Sequence, residues 1–374
     1  MFHFSDLDFQ MMSRAILLAK KGIYTTAPNP NVGCVIERDG IVVGEGFHHR
    51  AGEPHAEVHA LRDAGERSIG ATAYVTLEPC SHYGRTPPCA EGLIKAKVAR
   101  VVCAMQDPNP KVAGRGIAML REAGIEVEVG LLEADAQALN PAFIKRMQIG
   151  RPYVQLKMAA SLDGQTALAN GASQWITSPQ SRQNVQAYRA KSCAILSTSK
   201  TVIDDNASLN VRWDDLPQDI QSTYDHSQLR QPVRVILDRQ NHLTSNTEQL
   251  KLFNTPGKVL TVSDQGDIEP EINIDGQIDL NATFKALVES HHINHLWVEA
   301  GATLAKSLIE AELVDELILY LAPKLMGSDG RGLFGALGLE SMNETHELTI
   351  QDVRQIGPDI RIVATLNKRN KKDK

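Results

Sequence analysis

Apolar positions recur along the chain in two rhythms, the 3.6-residue spacing of helices and the short apolar runs of buried strands. Residues 8–22 predict an amphipathic helix stopped by Gly22. Apolar runs at 32–37 and 41–47 flank Arg38-Asp39-Gly40, a hairpin signal. A helix is expected over 55–64 with Gly65 as its stop, then a strand over 71–77, a helix over 90–97 and a strand over 99–105. A helix over 116–123 and a strand over 125–129 continue the alternation, which indicates a layered α/β domain.

Residues 140–153 read as a junction, basic at Lys145, Arg146 and Arg151 and ending in Gly150-Arg151-Pro152. Beyond it the alternation restarts. Strands are expected over 153–160, 194–197, 233–237, 258–262, 295–299, 316–322, 353–356 and 360–366, with helices over 178–191 and 303–311. Residues 214–231 and 264–281 are polar and weakly patterned and read as loops, and the basic tail 368–374 as a solvated end. No internal repeat is visible. A length of 374 residues suits two domains at roughly 100–200 residues each.

The net charge of -6 argues against a general nucleic-acid or membrane-surface binder, so an anionic substrate would need local basic residues. The five cysteines are Cys34, Cys80, Cys89, Cys103 and Cys193. An odd count behind an N-terminus without a signal-peptide pattern predicts a reduced, cytoplasmic protein. No apolar run approaches the ~18 residues of a membrane span.

The sharpest chemical signal is His55-Ala56-Glu57 followed by Glu78-Pro79-Cys80 and Cys89. One imidazole and two thiolates supply three corners of a tetrahedral zinc site, and the open corner suits a catalytic water. Zinc lowers the pKa of that water toward ~7, giving hydroxide as the nucleophile, with Glu57 as proton carrier. His-x-Glu with Pro-Cys is the pattern of zinc nucleobase deaminases, although here eight residues separate the cysteines instead of two. Helices starting at the two ligand segments would favour the thiolates. Cys34, Cys103 and Cys193 sit in apolar strands or at their edges and read as inert.

Several longer segments carry a resemblance. They are Thr26-Ala27-Pro28-Asn29-Pro30-Asn31-Val32-Gly33-Cys34-Val35, Gly52-Glu53-Pro54-His55-Ala56-Glu57, the segment from Glu78 to Cys89, and Lys157-Met158-Ala159-Ala160-Ser161-Leu162-Asp163-Gly164. Ser173-Gln174-Trp175-Ile176-Thr177, Asp204-Asp205, Asn210-Val211-Arg212 and Trp297-Val298-Glu299-Ala300-Gly301 complete the set. Together they resemble the bifunctional deaminase/reductases of riboflavin biosynthesis over essentially residues 7 to 366.

The resemblance implies an α/β chain with a cytidine-deaminase-like three-layer domain over 1–149 and a dihydrofolate-reductase-like domain over 150–374. It implies two steps: hydrolytic deamination of 2,5-diamino-6-(5-phosphoribosylamino)pyrimidin-4(3H)-one with one zinc ion, then NADPH reduction of the ribosyl group to ribityl. Zinc ligands would be His55, Cys80 and Cys89, and Glu57 the catalytic acid/base. Asn29, His82, Arg85, Asp107 and Asn109 would contact the pyrimidine substrate. For Asn29, Asp107 and Asn109, each next to proline or in a proline turn, a turn role is the alternative.

In the second domain the G-x-G-x-x-G fingerprint is absent, and a strand ending at Glu299 before a small-residue turn is the phosphate-binding signal that remains. By resemblance Ala159, Trp175, Thr201, Asp205 and the run Gly301, Ala302, Thr303, Leu304, Ala305, Lys306 and Ser307 would face the cofactor. Lys157, Ser173, Arg189, Leu209, Arg212 and Glu299 would face the reductase substrate, with Arg189 and Arg212 as phosphate partners. Core packing is the alternative for Trp175, and a solvated helix face for Arg189. Asp163 lies near the same pocket without an assigned role. Arg239 replaces a serine of the family pattern, and either pairs with a cofactor phosphate or points to solvent, which leaves NADPH against NADH open. A homodimer or higher homo-oligomer is the family expectation. Two other readings stand beside this one: a nucleoside or RNA deaminase with a binding module, and a zinc-stabilised scaffold with four protein ligands.

Overall fold

The computed structural model describes residues 4–83, 87–110, 113–245 and 247–367. Arg85 and the basic tail 368–374 lie outside the described residues. The chain forms two compact units, Met1–Gly150 and Arg151–Lys374.

The first unit opens with helix α1 (Asp6–Lys20), where Ser5 and Asp8 form a reciprocal capping box. Strands β1 (Gly33–Arg38) and β2 (Ile41–Phe47) make the expected antiparallel hairpin. Then follow α2 (Ala56–Ala64), β3 (Thr72–Val75), α3 (Cys89–Lys95), β4 (Arg100–Cys103), α4 (Arg115–Glu122) and β5 (Glu126–Val129). Helices α5 (Glu133–Leu139) and α6 (Pro141–Ile149) end the unit.

The sheet order is β2-β1-β3-β4-β5. Successive strand residues point to opposite faces, and the two cores show it. Cys34, Ile36, Ala73, Val75, Val101 and Cys103 face α2, α3 and α4, whereas Val35, Tyr74 and Val102 face α1 and α5. Helix, sheet and helix therefore form three layers. Leu93, Ile117 and Leu120 are buried on the first face, each contributing roughly 1.5–3 kcal/mol. Helix α2 lies so close to β2 that a Cβ on Gly46 would sit 2.6 Å from the Ala56 carbonyl oxygen. That close approach fixes the start of α2, where His55 and Glu57 stand.

In the second unit the described strands and helices are β6 (Tyr153–Ser161), β7 (Gln165–Ala167), α7 (Pro179–Lys191), β8 (Ala194–Thr198), α8 (Ser199–Asp205), α9 (Gln218–Thr223), β9 (Val233–Leu237) and β10 (Val259–Val262). They continue with α10 (Leu280–His291), β11 (His295–Glu299), α11 (Ala302–Glu310), β12 (Glu316–Ala322), β13 (Arg331–Gly332), β14 (Leu348–Ile356) and β15 (Asp359–Leu366). The large sheet runs β10-β9-β8-β11-β6-β12-β15-β14. It is parallel from β10 to β12 and antiparallel at β15 and β14. Ligands of such sheets gather at the carboxyl ends of the parallel strands. Lys157, Ala159, Glu299 and the turn after β11 all lie toward that end.

Some expectations need correction. Residues 141–149 of the expected junction form α6, whose Phe143 and Ile144 pack on the α1-side core. The polar stretch 214–231 holds α9, and α8 and α10 have no counterpart among the expected elements. The expected strand 353–356 is the end of β14, which starts at Leu348 and carries a bulge near residue 351.

Candidate active site and metal centre

His55 is the N-cap of α2, in extended backbone, and Cys89 is the first residue of α3. Cys80 lies on the loop between β3 and α3. The His55 Nδ1 and the two sulfurs lie within 4.8 Å of one another, with Nδ1 3.3 Å from the Cys89 Sγ and 3.6 Å from the Cys80 Sγ. The Cys89 backbone N–H donates to the Cys80 Sγ at 3.3 Å. Contact with Cys89 and His55 outweighs burial and holds the Cys80 thiol down at about 4. Its neighbour Cys89 is pushed the other way, by the Cys80 sulfur and by burial. Two adjacent sulfurs, one of them buried, do not readily both ionise without a cation between them, and a divalent ion at this point satisfies both. Soft sulfur and imidazole donors in this number suit zinc.

Glu57 follows two residues after His55 in the first turn of α2 and is buried. Burial pushes its carboxyl up, and His55 opposes this. Its Oε2 has no hydrogen-bond partner among the described residues. A buried carboxylate oxygen left without a donor is costly unless a ligand supplies one. The donor set and this atom together fit a zinc ion with a polar ligand beside it.

Around this cluster, the Asn29 Nδ2 lies 3.2 Å from the His48 Nε2, and the His48 Nδ1 lies 3.2 Å from the Pro54 carbonyl oxygen. His48 is buried and sits edge-on to His55, with ring centroids 5.5 Å apart. With Nδ1–H donated to Pro54, the His48 Nε2 accepts from Asn29 and orients its amide. His48 was not among the expected contacts; the His48-His49 pair seven residues before His55 was the available signal. Asp107 accepts the Asn109 backbone N–H at 2.8 Å, so the turn role is realised there. Burial pushes the Asp107 carboxyl up, and the exposed His82 draws it down. Cys34 and Cys103 are buried in the sheet, where burial raises both thiols. Cys193 is also buried.

In the second unit, β11 ends at Glu299 beside Lys157 of β6 in parallel register. The Arg189 guanidinium meets the Glu299 carboxylate twice and donates through Nη1 to the Asn210 carbonyl oxygen at 2.9 Å. Arg189 therefore stands on neither a solvated face nor a free anion site. Arg212 is exposed and paired with Asp215. Trp175 is 66% exposed with the Arg182 guanidinium 4.6 Å from its ring centre, which rules out core packing. Ser173 and Asp205 are exposed, and Asp205 accepts from the Gln174 amide at 2.9 Å. Thr201 sits in the first turn of α8, its N–H received by the Thr198 hydroxyl.

At α11 the N-cap is Gly301, with open space around its missing Cβ. Ala302, Thr303, Lys306 and Ser307 keep some exposure, whereas the side chains of Leu304 and Ala305 are buried, which leaves their backbone for a contact. Leu209 is likewise a core side chain; only its backbone, at φ 50°, is left for a contact. Ala159 is half-buried on β6. Asp163 receives the Met326 and Gly327 N–H groups and acts as a loop clamp. Arg239 donates to the Gly276 carbonyl oxygen.

Comparison with known proteins agrees with both units. Residues 152–362 match the family model described as RibD C-terminal domain, and residues 5–105 that of the cytidine and deoxycytidylate deaminase zinc-binding region. The riboflavin biosynthesis protein RibD of Escherichia coli is 53% identical over 364 residues, covering 94% of this chain and 98% of that one. Its Haemophilus influenzae counterpart is 52% identical over 372 residues, 98% and 99% of the two chains. The structure of Acinetobacter baumannii RibD superposes with a TM-score of 0.88 at 46% identity, covering 97% of this chain and 99% of that one. A Thermotoga maritima diaminohydroxyphosphoribosylaminopyrimidine deaminase/5-amino-6-(5-phosphoribosylamino)uracil reductase gives 0.83 at 31%, with 96% and 99% covered. With a zinc-type donor set in one unit and a RibD C-terminal domain match over the other, the chain belongs to the RibD family, the bifunctional deaminase/reductases of riboflavin biosynthesis.

Proposed function

We propose that residues 1–149 remove the 2-amino group of 2,5-diamino-6-(5-phosphoribosylamino)pyrimidin-4(3H)-one and that residues 150–374 reduce the ribosyl group of the product to ribityl. The convergence of His55, Cys80 and Cys89 beside the unpartnered Glu57 Oε2 carries the first assignment. Those three side chains hold zinc, which when bound supplies the Lewis acidity that makes water a nucleophile near neutral pH. Glu57 takes a proton from the attacking water and gives it to the ring nitrogen, then moves the proton of the new C2 hydroxyl to the exocyclic amine, which leaves as ammonia as the C2 carbonyl forms. Water adds at C2, the C2–N bond breaks, and one ammonia leaves for each water consumed. Asn29, held by His48, and Asp107, Asn109, His82 and Arg85 line up the pyrimidine and its phosphate.

In the reductase NADPH supplies the hydride, and the chain's task is alignment. The open start of α11 at Gly301, Ala302 and Thr303 takes a cofactor phosphate on its N–H groups. Trp175, Ala159, Thr201 and Asp205 flank the cofactor, and Lys157, Ser173 and Glu299 the ribosyl chain. Arg189 sets the Glu299 carboxylate, and Arg212, which lies beside Asp215 and is the more exposed of the two, is the arginine open to the substrate phosphate.

The working state we propose is a homo-oligomer in a reducing, cytoplasmic setting. Its support is the outer strand pair, where Leu348, Ile350, Val353 and Ile360 are exposed, and the need for two free thiolates. Sedimentation equilibrium tests the assembly.

Zinc-loaded protein mixed with the diaminopyrimidinone ribosylamine 5'-phosphate and NADPH should oxidise the nicotinamide, and Glu57→Ala should not. Ammonia release without oxidation would remove the second assignment, and oxidation by the variant would remove Glu57 from the first.

A further inference from the structure

Glu78 belongs neither to the metal cluster nor to the substrate contacts assigned above, yet its carboxylate accepts four backbone N–H groups. The first N–H groups of a helix have no partner within it, and α4 begins after Gly114, an N-cap without a side chain. Glu78 fills that role from another part of the chain. Its Oε1 accepts from Gly116 at 2.9 Å and Ile117 at 3.3 Å. Its Oε2 accepts from Gly114 and from Asp107, both at 3.0 Å. The side chain is 4% exposed, and its negative charge faces the positive end of α4.

The backbone around it is equally constrained. The Glu78 N–H donates to the Met105 carbonyl oxygen at 3.0 Å, tying the exit of β3 to the exit of β4. A Cβ on Gly116 would lie 1.9 Å from the Pro79 carbonyl oxygen, so α4 is seated against the residue between Glu78 and Cys80. One carboxylate therefore joins the loop carrying Cys80 to the turn carrying Asp107 and Asn109.

We infer that Glu78 is a positioning residue for deamination, holding the metal ligand Cys80 and the Asp107–Asn109 turn at a fixed separation. The inference rests on the reading of Asp107 and Asn109 as substrate contacts. A carboxylate offers acceptors on both oxygens, whereas glutamine offers one oxygen and turns an NH2 group toward N–H donors. Aspartate keeps the charge but is one methylene short.

Full-length Glu78→Gln and Glu78→Asp proteins, with Gly116→Ala as an independent disturbance of the same seat, are assayed for zinc content, deaminase kcat and KM, and reductase turnover on deaminated substrate. The expected result is one zinc per chain, unchanged reductase turnover, and deaminase kcat/KM lower by about 10–100-fold in Glu78→Gln, chiefly through KM. Glu78→Asp should recover part of the loss. Wild-type deaminase constants in Glu78→Gln overturn the inference. So does joint loss of zinc and activity in all three variants, which would make Glu78 a support of the fold alone. Asp107→Ala and Asn109→Ala in the same assay separate the underlying reading, since wild-type KM in both would sink that reading and not the role of Glu78 in seating Cys80.

Discussion

The Arg189 guanidinium closes on the Glu299 carboxylate through two hydrogen bonds, Nε to Oε1 at 2.6 Å and Nη2 to Oε2 at 2.9 Å. The Trp297 indole N–H adds a third at 2.8 Å. Burial alone would raise the Glu299 carboxyl, but Arg189 and Lys157 outweigh it and hold it at about 2.

A carboxyl depressed by folding binds more protons in the unfolded chain, so its stabilisation is complete above the ordinary value of 4.5 and is lost as pH falls toward 2. The size is about 3 kcal/mol for the reductase unit. Urea unfolding at pH 6 and pH 3 should show a smaller acid loss for Glu299→Gln than for wild type. Equal losses would contradict the depressed carboxyl.

Arg100 bridges Asp8 and Glu128 in the deaminase unit, at 2.6 Å from Nη1 to the Asp8 Oδ1 and 2.7 Å from Nε to the Glu128 Oε2. Both acids are buried, and the Tyr74 hydroxyl also donates to Asp8. Arg100→Met leaves two acids without their cation and should cost about 3 kcal/mol or more of stability in this unit. A thermal scan showing an unshifted deaminase transition would rule this out.

Trp175→Ala should leave the melting temperature nearly unchanged, because the ring is largely exposed. Its KM for NADPH should rise roughly tenfold, equivalent to about 1.4 kcal/mol of lost ring contact. An unchanged KM, read by initial rates on deaminated substrate, would take Trp175 out of the cofactor site.

Removing zinc with a chelator should abolish ammonia release while NADPH oxidation on deaminated substrate persists, since the ligands all lie in Met1–Gly150. Parallel loss of both activities would show that the reductase needs the metal.

The zinc cluster was readable in the sequence because His55 and Cys80 sit in short dipeptide or tripeptide patterns, and the starts of α2 and α3 place His55 and Cys89 beside the loop that carries Cys80. Strands 233–237, 295–299 and 316–322 coincide with their apolar runs for the same local reason. Arg189 and Glu299 stand 110 residues apart, and nothing near either announces the other. Glu78 finds its partners 29 to 39 residues downstream, so its motif was visible and its role was not. Leu304 and Ala305 turn their side chains into the core, as Leu308 and Ile309 do one turn later, so any cofactor contact there falls to the backbone. Helix α6 was read as a junction because its basic Lys145 and Arg146 interrupt Phe143, Ile144 and Met147, which are spaced as one apolar face.

The contrast between the two arginines of the reductase has a consequence for the surroundings in which the enzyme works. Arg189 is neutralised by Glu299 in a largely dry pocket, but Arg212 has a side chain 48% exposed beside Asp215. Charges in water are screened over about 8 Å at physiological ionic strength, and buried pairs far less. On the proposed assignment of the substrate phosphate to Arg212, its capture should weaken as salt rises, while the buried Arg189–Glu299 pair keeps its shape, so ionic strength would act on substrate affinity and not on the geometry of reduction.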